Sequence, residues 1–439
     1  MGKLMKFEIK QSNYQGLLSL ANIAKQSKAD KLEIEMTDDI SKMPKFSEIV
    51  EYIYPVLDYE AYFEVWLKNF PYCVLTPEAV DHILSDDKKE KIKDCQACLW
   101  FEQCPGFSNN YLEKYKGKEI CPMPDLPWEV MIEVEPGCNF NCQFCFNKIS
   151  FAKDGRKIKS FSTDYVKKII SSIAQLGIKI VRFTGGEPLL RKDIFQLIKY
   201  AKDKELETRL NTNGLLINQE MIKKFGKALD NVLVSIDDCS NSLDKKIKAI
   251  KLLKKEEIPV VRVGTVATKE NILNFDKIAE LICDLSIDEW EFYRPIPINK
   301  KEELDSKLVN LLVEKIIDLR RETAKAVFIA NALPFCAIKD LNKINSVSKG
   351  GLFDDGHTRL VVDPRNFVKP HYFIDENIGQ PLDILKAWQG PFMKKMRNLE
   401  YLPEKCHNCN FVFKCRGGSR QIAKMVHGEY NKMDPLMRI

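Results

Sequence analysis

The sequence predicts an α/β protein built on a parallel sheet. Three observations carry that reading: β-rich runs alternate with amphipathic helical patterns from 128 to about 325, the chain is 439 residues long, and 11 of its 14 cysteines fall into spaced groups at three places. The strand-like runs are Val130–Glu135, Ile178–Phe183, Glu207–Asn211, Val232–Ile236, Val260–Val266 and Glu289–Pro295. The helix after the first is representative. Ser162 or Thr163 caps it, Val166, Ile169, Ile170 and Ile173 share one face, and Gly177 stops it. Repeated strand–helix units imply right-handed crossovers and a sheet that is open or curled into a partial barrel. Functional residues are then expected just past the C-terminal ends of the strands.

Residues 326–439 break the rhythm. Phe328–Asn331, a hairpin of Thr358–Val362 with Phe367–Tyr372, a helix near Leu382–Trp388 and a Cys-rich end read as an appended α+β module. Residues 1–127 form a second extension, and they partly repeat the C-terminal region. A strand-like run, Lys31–Met36, and a helical stretch precede Pro71-Tyr72-Cys73 and then Cys95-x2-Cys98-x5-Cys104-Pro105-Gly106. In the second half Trp290–Pro295 and a long helix precede Pro334-Phe335-Cys336 and then Cys406-x2-Cys409-x5-Cys415-Arg416-Gly417. The same Pro-aromatic-Cys run and the same spacing in the same order imply shared ancestry or shared ligand geometry.

Composition narrows the function. Hydrophobic residues at 45% and charged residues at 30% are those of an ordinary globular chain. A net charge of +6, with no dense Lys/Arg block, argues against nucleic acid or an anionic membrane as partner. The N-terminus has no apolar signal-like run and no stretch is apolar enough to span a bilayer, so the expected compartment is the cytoplasm. Clustered cysteines in a reducing compartment read as metal or cluster ligands.

The sharpest signal is Gly137-Cys138-Asn139-Phe140-Asn141-Cys142-Gln143-Phe144-Cys145, directly after the first predicted strand of the alternating region. Three thiolates can hold three irons of a [4Fe–4S] cluster and leave the fourth open to a substrate. A structural zinc site wants four ligands and fits a compact triplet poorly. The second signal is Arg182-Phe183-Thr184-Gly185-Gly186-Glu187-Pro188-Leu189 at the end of the next strand. There the glycines let a ligand approach the backbone and the Glu187 carboxylate can accept from an ammonium group.

With these two motifs in this order, the region 128–325 resembles the radical S-adenosylmethionine (radical SAM) superfamily, whose core is a partial (β/α)6 TIM-like barrel. The resemblance implies that Cys138, Cys142 and Cys145 bind the radical cluster and that Gly185, Gly186 and Glu187 receive the SAM amino group. It implies also that Phe144 packs near the adenine, and that Asn213 and Ser235 contact the ribose or carboxylate. The implied chemistry is reductive cleavage of SAM to methionine and a 5′-deoxyadenosyl radical, which removes a hydrogen atom from the substrate.

Two further sets of four thiols remain: Cys73, Cys95, Cys98 and Cys104, and Cys336, Cys406, Cys409 and Cys415. Four thiolates complete a [4Fe–4S] cluster, although a zinc knuckle could use the same residues. The second set lies in a tail that resembles the SPASM/twitch modules of radical SAM enzymes, which carry auxiliary clusters. His371, Asp355 and Ser419 stand where a full SPASM module has further cysteines, so one auxiliary cluster is expected in the tail rather than two, with one or two in the whole chain. Of the other cysteines, Cys283 reads as a core residue, Cys121 as a substitute ligand near the first set, and Cys239 has no partner at ligand spacing. The Lys-rich face around Lys245–Lys255 reads as solvated.

The function expected from the resemblance is an oxidoreductase or maturase acting on a peptide or protein side chain, fed by a flavodoxin- or ferredoxin-type electron donor. An enzyme of small-cofactor assembly, of tetrapyrrole or quinone type, is the alternative, and an iron–sulfur electron carrier is a more distant one.

Overall fold

The computed structural model describes residues 3–75, 82–84, 89–98, 100–101, 104–119, 125–142, 144–145, 158–237, 242–296, 304–323, 325–351, 354 and 356–437. They divide into two compact units, Met1–Asp125 and Leu126–Ile439. Cys121, Cys239 and Asp355 lie outside the described residues.

In the first unit β1 (Leu4–Ile9), β2 (Lys31–Met36), β3 (Glu64–Lys68) and β4 (Ile83–Leu84) form a parallel sheet in chain order. The helices Leu17–Gln26 and Phe46–Leu57 are the crossovers. Leu32, Ile34 and Met36 are buried and alternate with Lys31, Glu33 and Glu35, the period of a strand covered on one face. Phe46, Ile49, Ile53 and Val56 recur at helical spacing and are buried.

The second unit contains β5 (Glu129–Glu135), β6 (Ile180–Gly185), β7 (Glu207–Thr212), β8 (Asn231–Ser235), β9 (Val260–Val266) and β10 (Glu289–Tyr293), neighbours in chain order and all parallel. The helix Thr163–Gln175 forms as its spacing requires. The Ser162 hydroxyl accepts from the Tyr165 amide, and the helix buries Val166, Ile169, Ile170 and Ile173.

The C-terminal segment does not stand apart from this sheet. Its β11 (Val327–Ile329) lies parallel beside β10, while its β12 (Arg359–Asp363) lies parallel beside β5 and carries β13 (Phe367–Lys369) antiparallel on its outer side. The reason is burial: Leu360, Val361 and Val362 are all fully covered, so this strand needs protein on both faces, as an inner strand of a sheet has.

The sheet's two faces differ in kind. One presents Val130, Ile132, Val134, Val181, Phe183, Val232, Val234, Val261, Val263, Trp290 and Phe292, all buried. The other is polar and internally paired. Glu129 takes Arg182 Nε at 2.5 Å and Arg359 Nε at 2.8 Å, Arg182 Nη1 donates to Asn211 Oδ1 at 2.9 Å, and Arg262 binds Glu291 at 2.9 Å and Asn231 at 3.0 Å. Removing either partner of such a pair would strand a buried charge. Among the described residues, no helix is long and apolar enough to cross a membrane.

Candidate functional site

Glu135 ends β5, and the chain then turns through Pro136 and Gly137 into the cysteine loop. That turn is tied to the end of β6 by two backbone bonds: Gly186 N–H donates to Glu135 O at 2.7 Å, and Glu187 N–H to Gly137 O at 2.8 Å. The contact explains both glycines. A Cβ on Gly185 would lie 2.2 Å from Glu135 O, where φ is also +140°, and one on Gly186 would lie 2.3 Å from Gly137 O. What comes close to these glycines is thus the stem of the cysteine loop itself, which locks the two motifs together.

Glu187 is wholly buried. Its Oε1 accepts from Leu189 N at 3.0 Å and Thr212 Oγ1 at 2.8 Å, and its Oε2 from Asn213 N at 2.8 Å. Burial raises its carboxyl above the ordinary range, and these three donors oppose the rise. The side chain thereby clamps the end of β6 to the turn after β7. From that turn Asn213 Nδ2 donates to Asn139 Oδ1 at 2.7 Å and approaches Cys138 Sγ at 3.9 Å, bringing the β7 turn onto the cysteine loop.

The three loop thiols share one electrostatic environment. Burial, followed by repulsion from Asp237 and Cys145, pushes the Cys142 thiol up to about 12, and burial together with Glu187 and Cys145 raises Cys138. Cys138 is exposed, whereas Cys142 and Cys145 are half-buried, as is Phe144 between them. Thiolates so placed call for a cationic partner, and a bound iron centre supplies one. Ser235 closes β8 half-buried, and its hydroxyl makes no hydrogen bond among the described residues. The sequence motifs thus converge at the C-terminal ends of β5, β6, β7 and β8, and the donor set fits an iron–sulfur cluster with one site left open.

Sequence reasoning missed two residues here. Lys246 lies on the face read as solvated, yet it is only 2% exposed, sits 5.3 Å over the Phe140 ring and eases the Cys142 thiol's charge. The signal was its register, since Leu243, Lys246, Ile250 and Leu253 form one helical stripe and all are buried. Glu133 is fully buried on the polar face of β5, with Lys369 Nζ at 3.6 Å and Asp363, Arg365 and Tyr372 around it. Burial holds its carboxyl at about 7. A charged residue alternating with Val and Ile looks in sequence like the wet side of a strand.

In the C-terminal segment, the thiols of Cys336, Cys406, Cys409 and Cys415 influence one another, and burial pushes Cys415 up to about 12. His371 is buried and pairs with Asp354 at 3.0 Å, and Ser419 caps the helix Arg420–His427, so both have structural work. Cys283 is half-buried at the end of the helix Phe275–Cys283, whose buried face is Phe275, Ile278, Ala279 and Ile282. Among the described residues, no three His, Cys, Asp or Glu side chains converge as ligands of a single ion.

Comparison with known proteins agrees with this geometry. Residues 132–282 match the model of the Radical SAM superfamily. The PqqA peptide cyclase of Bradyrhizobium diazoefficiens is 29% identical over 337 residues, 71% of this chain and 86% of its own length. That of Granulibacter bethesdensis is 22% identical over 333 residues, covering 70% and 86%. Among solved structures, Streptococcus suis SuiB bound to S-adenosylmethionine superposes with a TM-score of 0.57 at 17% identity, over 75% of this chain and 80% of its own. Native anSMEcpe with bound AdoMet and the Cp18Cys peptide gives 0.54 at 17% identity, over 71% and 92%. At such identities these two structures speak for the fold.

Proposed function

We propose, from a chain that belongs to the radical SAM superfamily, that this enzyme reductively cleaves S-adenosylmethionine and abstracts a hydrogen atom from a peptide or protein side chain. The observation that carries the reading is the zipped pair of motifs: a three-thiol loop bonded through its stem to a Gly-Gly-Glu turn, with Asn213 bridging to Cys138. Relatives that are peptide cyclases support the peptide substrate.

Cys138, Cys142 and Cys145 would hold the cluster, and Gly185, Gly186, Asn213, Ser235 and Phe144 would surround SAM. When bound, cluster and SAM together supply a 5′-deoxyadenosyl radical, chemistry that belongs to the cofactor. The chain's own part is placement. Glu187 holds the β7 turn against the β6 turn, so the backbone facing the ligand is fixed before it arrives. Lys246 sets a cation beside Cys142 and lowers the cost of gathering thiolates there. The paired charges across β5 to β10 are buried and satisfy one another, so they fix the strands whose C-terminal ends carry these residues. Cys336, Cys406, Cys409 and Cys415 would hold an auxiliary cluster. The electron donor would be of flavodoxin or ferredoxin type, and the compartment the cytoplasm.

The test is anaerobic incubation of reconstituted protein with SAM and dithionite. 5′-Deoxyadenosine should form well above a Cys142→Ala control, and its absence would overturn the enzyme reading. Glu187→Ala leaves three donors without their acceptor, a loss of about 1–3 kcal/mol, so SAM affinity should fall about tenfold or more with iron content retained. Turnover of a short precursor peptide, seen as a mass change, tests the substrate class; activity confined to a small molecule would refute it.

A further inference from the structure

The N-terminal unit repeats the end of the second unit in three dimensions, and the match is closest at its thiols. The order β1, helix, β2, helix Phe46–Leu57, β3 parallels β9, the helix pair Lys269–Leu273 and Phe275–Cys283, β10, helix Ser306–Thr323, β11, and each series is a set of adjacent parallel strands. Where the last strand ends, Asn69 Nδ2 donates to Met36 O at 3.2 Å and Asn331 Nδ2 to Arg294 O at 3.0 Å, each reaching back to the preceding strand's C-terminal end. A proline then caps a 3-10 turn in both copies, Tyr72–Val74 carrying Cys73 and Phe335–Ala337 carrying Cys336.

The bonds of the second cysteine segment coincide one for one. Cys98 N–H donates to Cys95 O at 2.9 Å, Phe101 N–H to Cys98 O at 3.1 Å and Cys104 N–H to Trp100 O at 2.8 Å. In the copy, Cys409 donates to Cys406 at 3.1 Å, Val412 to Cys409 at 3.0 Å and Cys415 to Phe411 at 2.8 Å. The two cysteine segments meet in the same way, since Tyr72 N–H donates to Cys104 Sγ at 3.3 Å and Phe335 N–H to Cys415 Sγ at 3.3 Å. A second amide reaches each of these sulfurs, from Gly106 (φ +88°) and Gly417 (φ +74°), a backbone conformation suited to glycine. An aromatic pair stands beside each, Tyr72 with Trp100 at 5.6 Å and Phe335 with Phe411 at 5.9 Å. Independently of the repeat, Cys73, Cys95, Cys98 and Cys104 line one small cavity with Lys91, Phe101, Gly106 and Phe107.

We infer that residues 1–125 hold a [4Fe–4S] cluster of their own on Cys73, Cys95, Cys98 and Cys104. Two amides aimed at one sulfur suit a thiolate that stays charged, four thiols complete such a cluster, and Lys91 in the cavity wall offsets its negative charge. The choice of iron–sulfur over zinc rests on the reading given above for the C-terminal set, and the experiment separates the two.

Full-length protein, reconstituted anaerobically, is assayed for iron, acid-labile sulfide and zinc. Three clusters give about twelve irons per chain, and Cys95→Ser with Cys98→Ser should remove about four irons and four sulfides while dithionite-driven SAM cleavage persists. A second variant keeps only the N-terminal set: Cys138→Ala, Cys142→Ala, Cys145→Ala, Cys406→Ala and Cys409→Ala together. It should retain about four irons with the Mössbauer signature of one cubane cluster. That measurement decides the matter if the first variant loses all its metal. An iron-free second variant, stoichiometric zinc in it, or an iron count unmoved by the first pair overturns the inference. Failure of SAM cleavage with the four irons still tied to Cys95 and Cys98 would sink the proposed function and leave this site standing.

Discussion

Gly186→Ala is the sharpest probe of how the two motifs are joined. The new methyl would lie 2.3 Å from Gly137 O, 2.7 Å from Gly137 C and 2.7 Å from Pro136 O, all backbone atoms that cannot swing aside. Restoring contact distance moves the loop stem by about 1 Å, an overpacking that costs about 1–3 kcal/mol. The shift also breaks the bonds Gly186 N–H to Glu135 O and Glu187 N–H to Gly137 O, at about 1 kcal/mol each. The total of about 3–5 kcal/mol corresponds to 5′-deoxyadenosine formation slowed about 100-fold or more if it falls on the competent site geometry. Gly16→Ala is the control, since a Cβ there meets nothing within 4 Å. The assay is the rate of 5′-deoxyadenosine formation with saturating SAM and dithionite, with iron counted on the same samples. A Gly186→Ala enzyme within twofold of wild type would show that the loop stem is free of the turn and that the two motifs are not coupled through it.

Two further outcomes are expected. Glu133 keeps its proton to about 7 in the fold, against 4.5 when unfolded, so folding stability falls as pH rises between those values and is flat above. Glu133→Gln abolishes that fall of about 3 kcal/mol, visible as urea midpoints at pH 5 and 8 that converge in the variant; parallel pH profiles for variant and wild type would refute it. Lys246→Met keeps volume but removes the cation beside Cys142, so the radical cluster should become harder to reduce, its midpoint moving negative in an EPR-monitored titration. An unchanged midpoint would remove Lys246 from the site.

The strands β5 to β10 were legible because runs such as Val232–Ile236 are β-branched and bounded by turn residues, a local signal that survives without tertiary context. The cysteine triplet stood out for a similar reason, because ligands of one inorganic core need to be close, and Cys138, Cys142 and Cys145 are close along the chain. What stayed hidden depends on residues far apart in sequence. Glu133 and Lys246 read as wet because charge normally faces water, and only the folded chain shows Lys369 and Phe140 covering them. The purpose of Gly185 and Gly186 was hidden likewise. A sequence shows that glycine stands there, but only the fold shows that Glu135 and Gly137 are the atoms that come close.

The place of β12 has a consequence for biosynthesis. Its partner β5 is made long before it: Arg359 pairs with Glu129, 230 residues earlier. At ordinary ribosomal speeds that separation is about 10–45 s of synthesis. Throughout it β5 presents an open edge, and the cysteine loop at its end hangs from a sheet that lacks a neighbour on that side. The N-terminal unit needs no such wait, since its strands pair among themselves. If residues 1–125 hold the cluster inferred above, the chain orders its own iron uptake, because that unit can fold during translation whereas the Cys138–Cys145 loop is framed only after the tail has emerged. A ribosome stalled before Arg359 would release a protein with three unligated thiols beside an unpaired strand, a species for chaperones or proteases to remove.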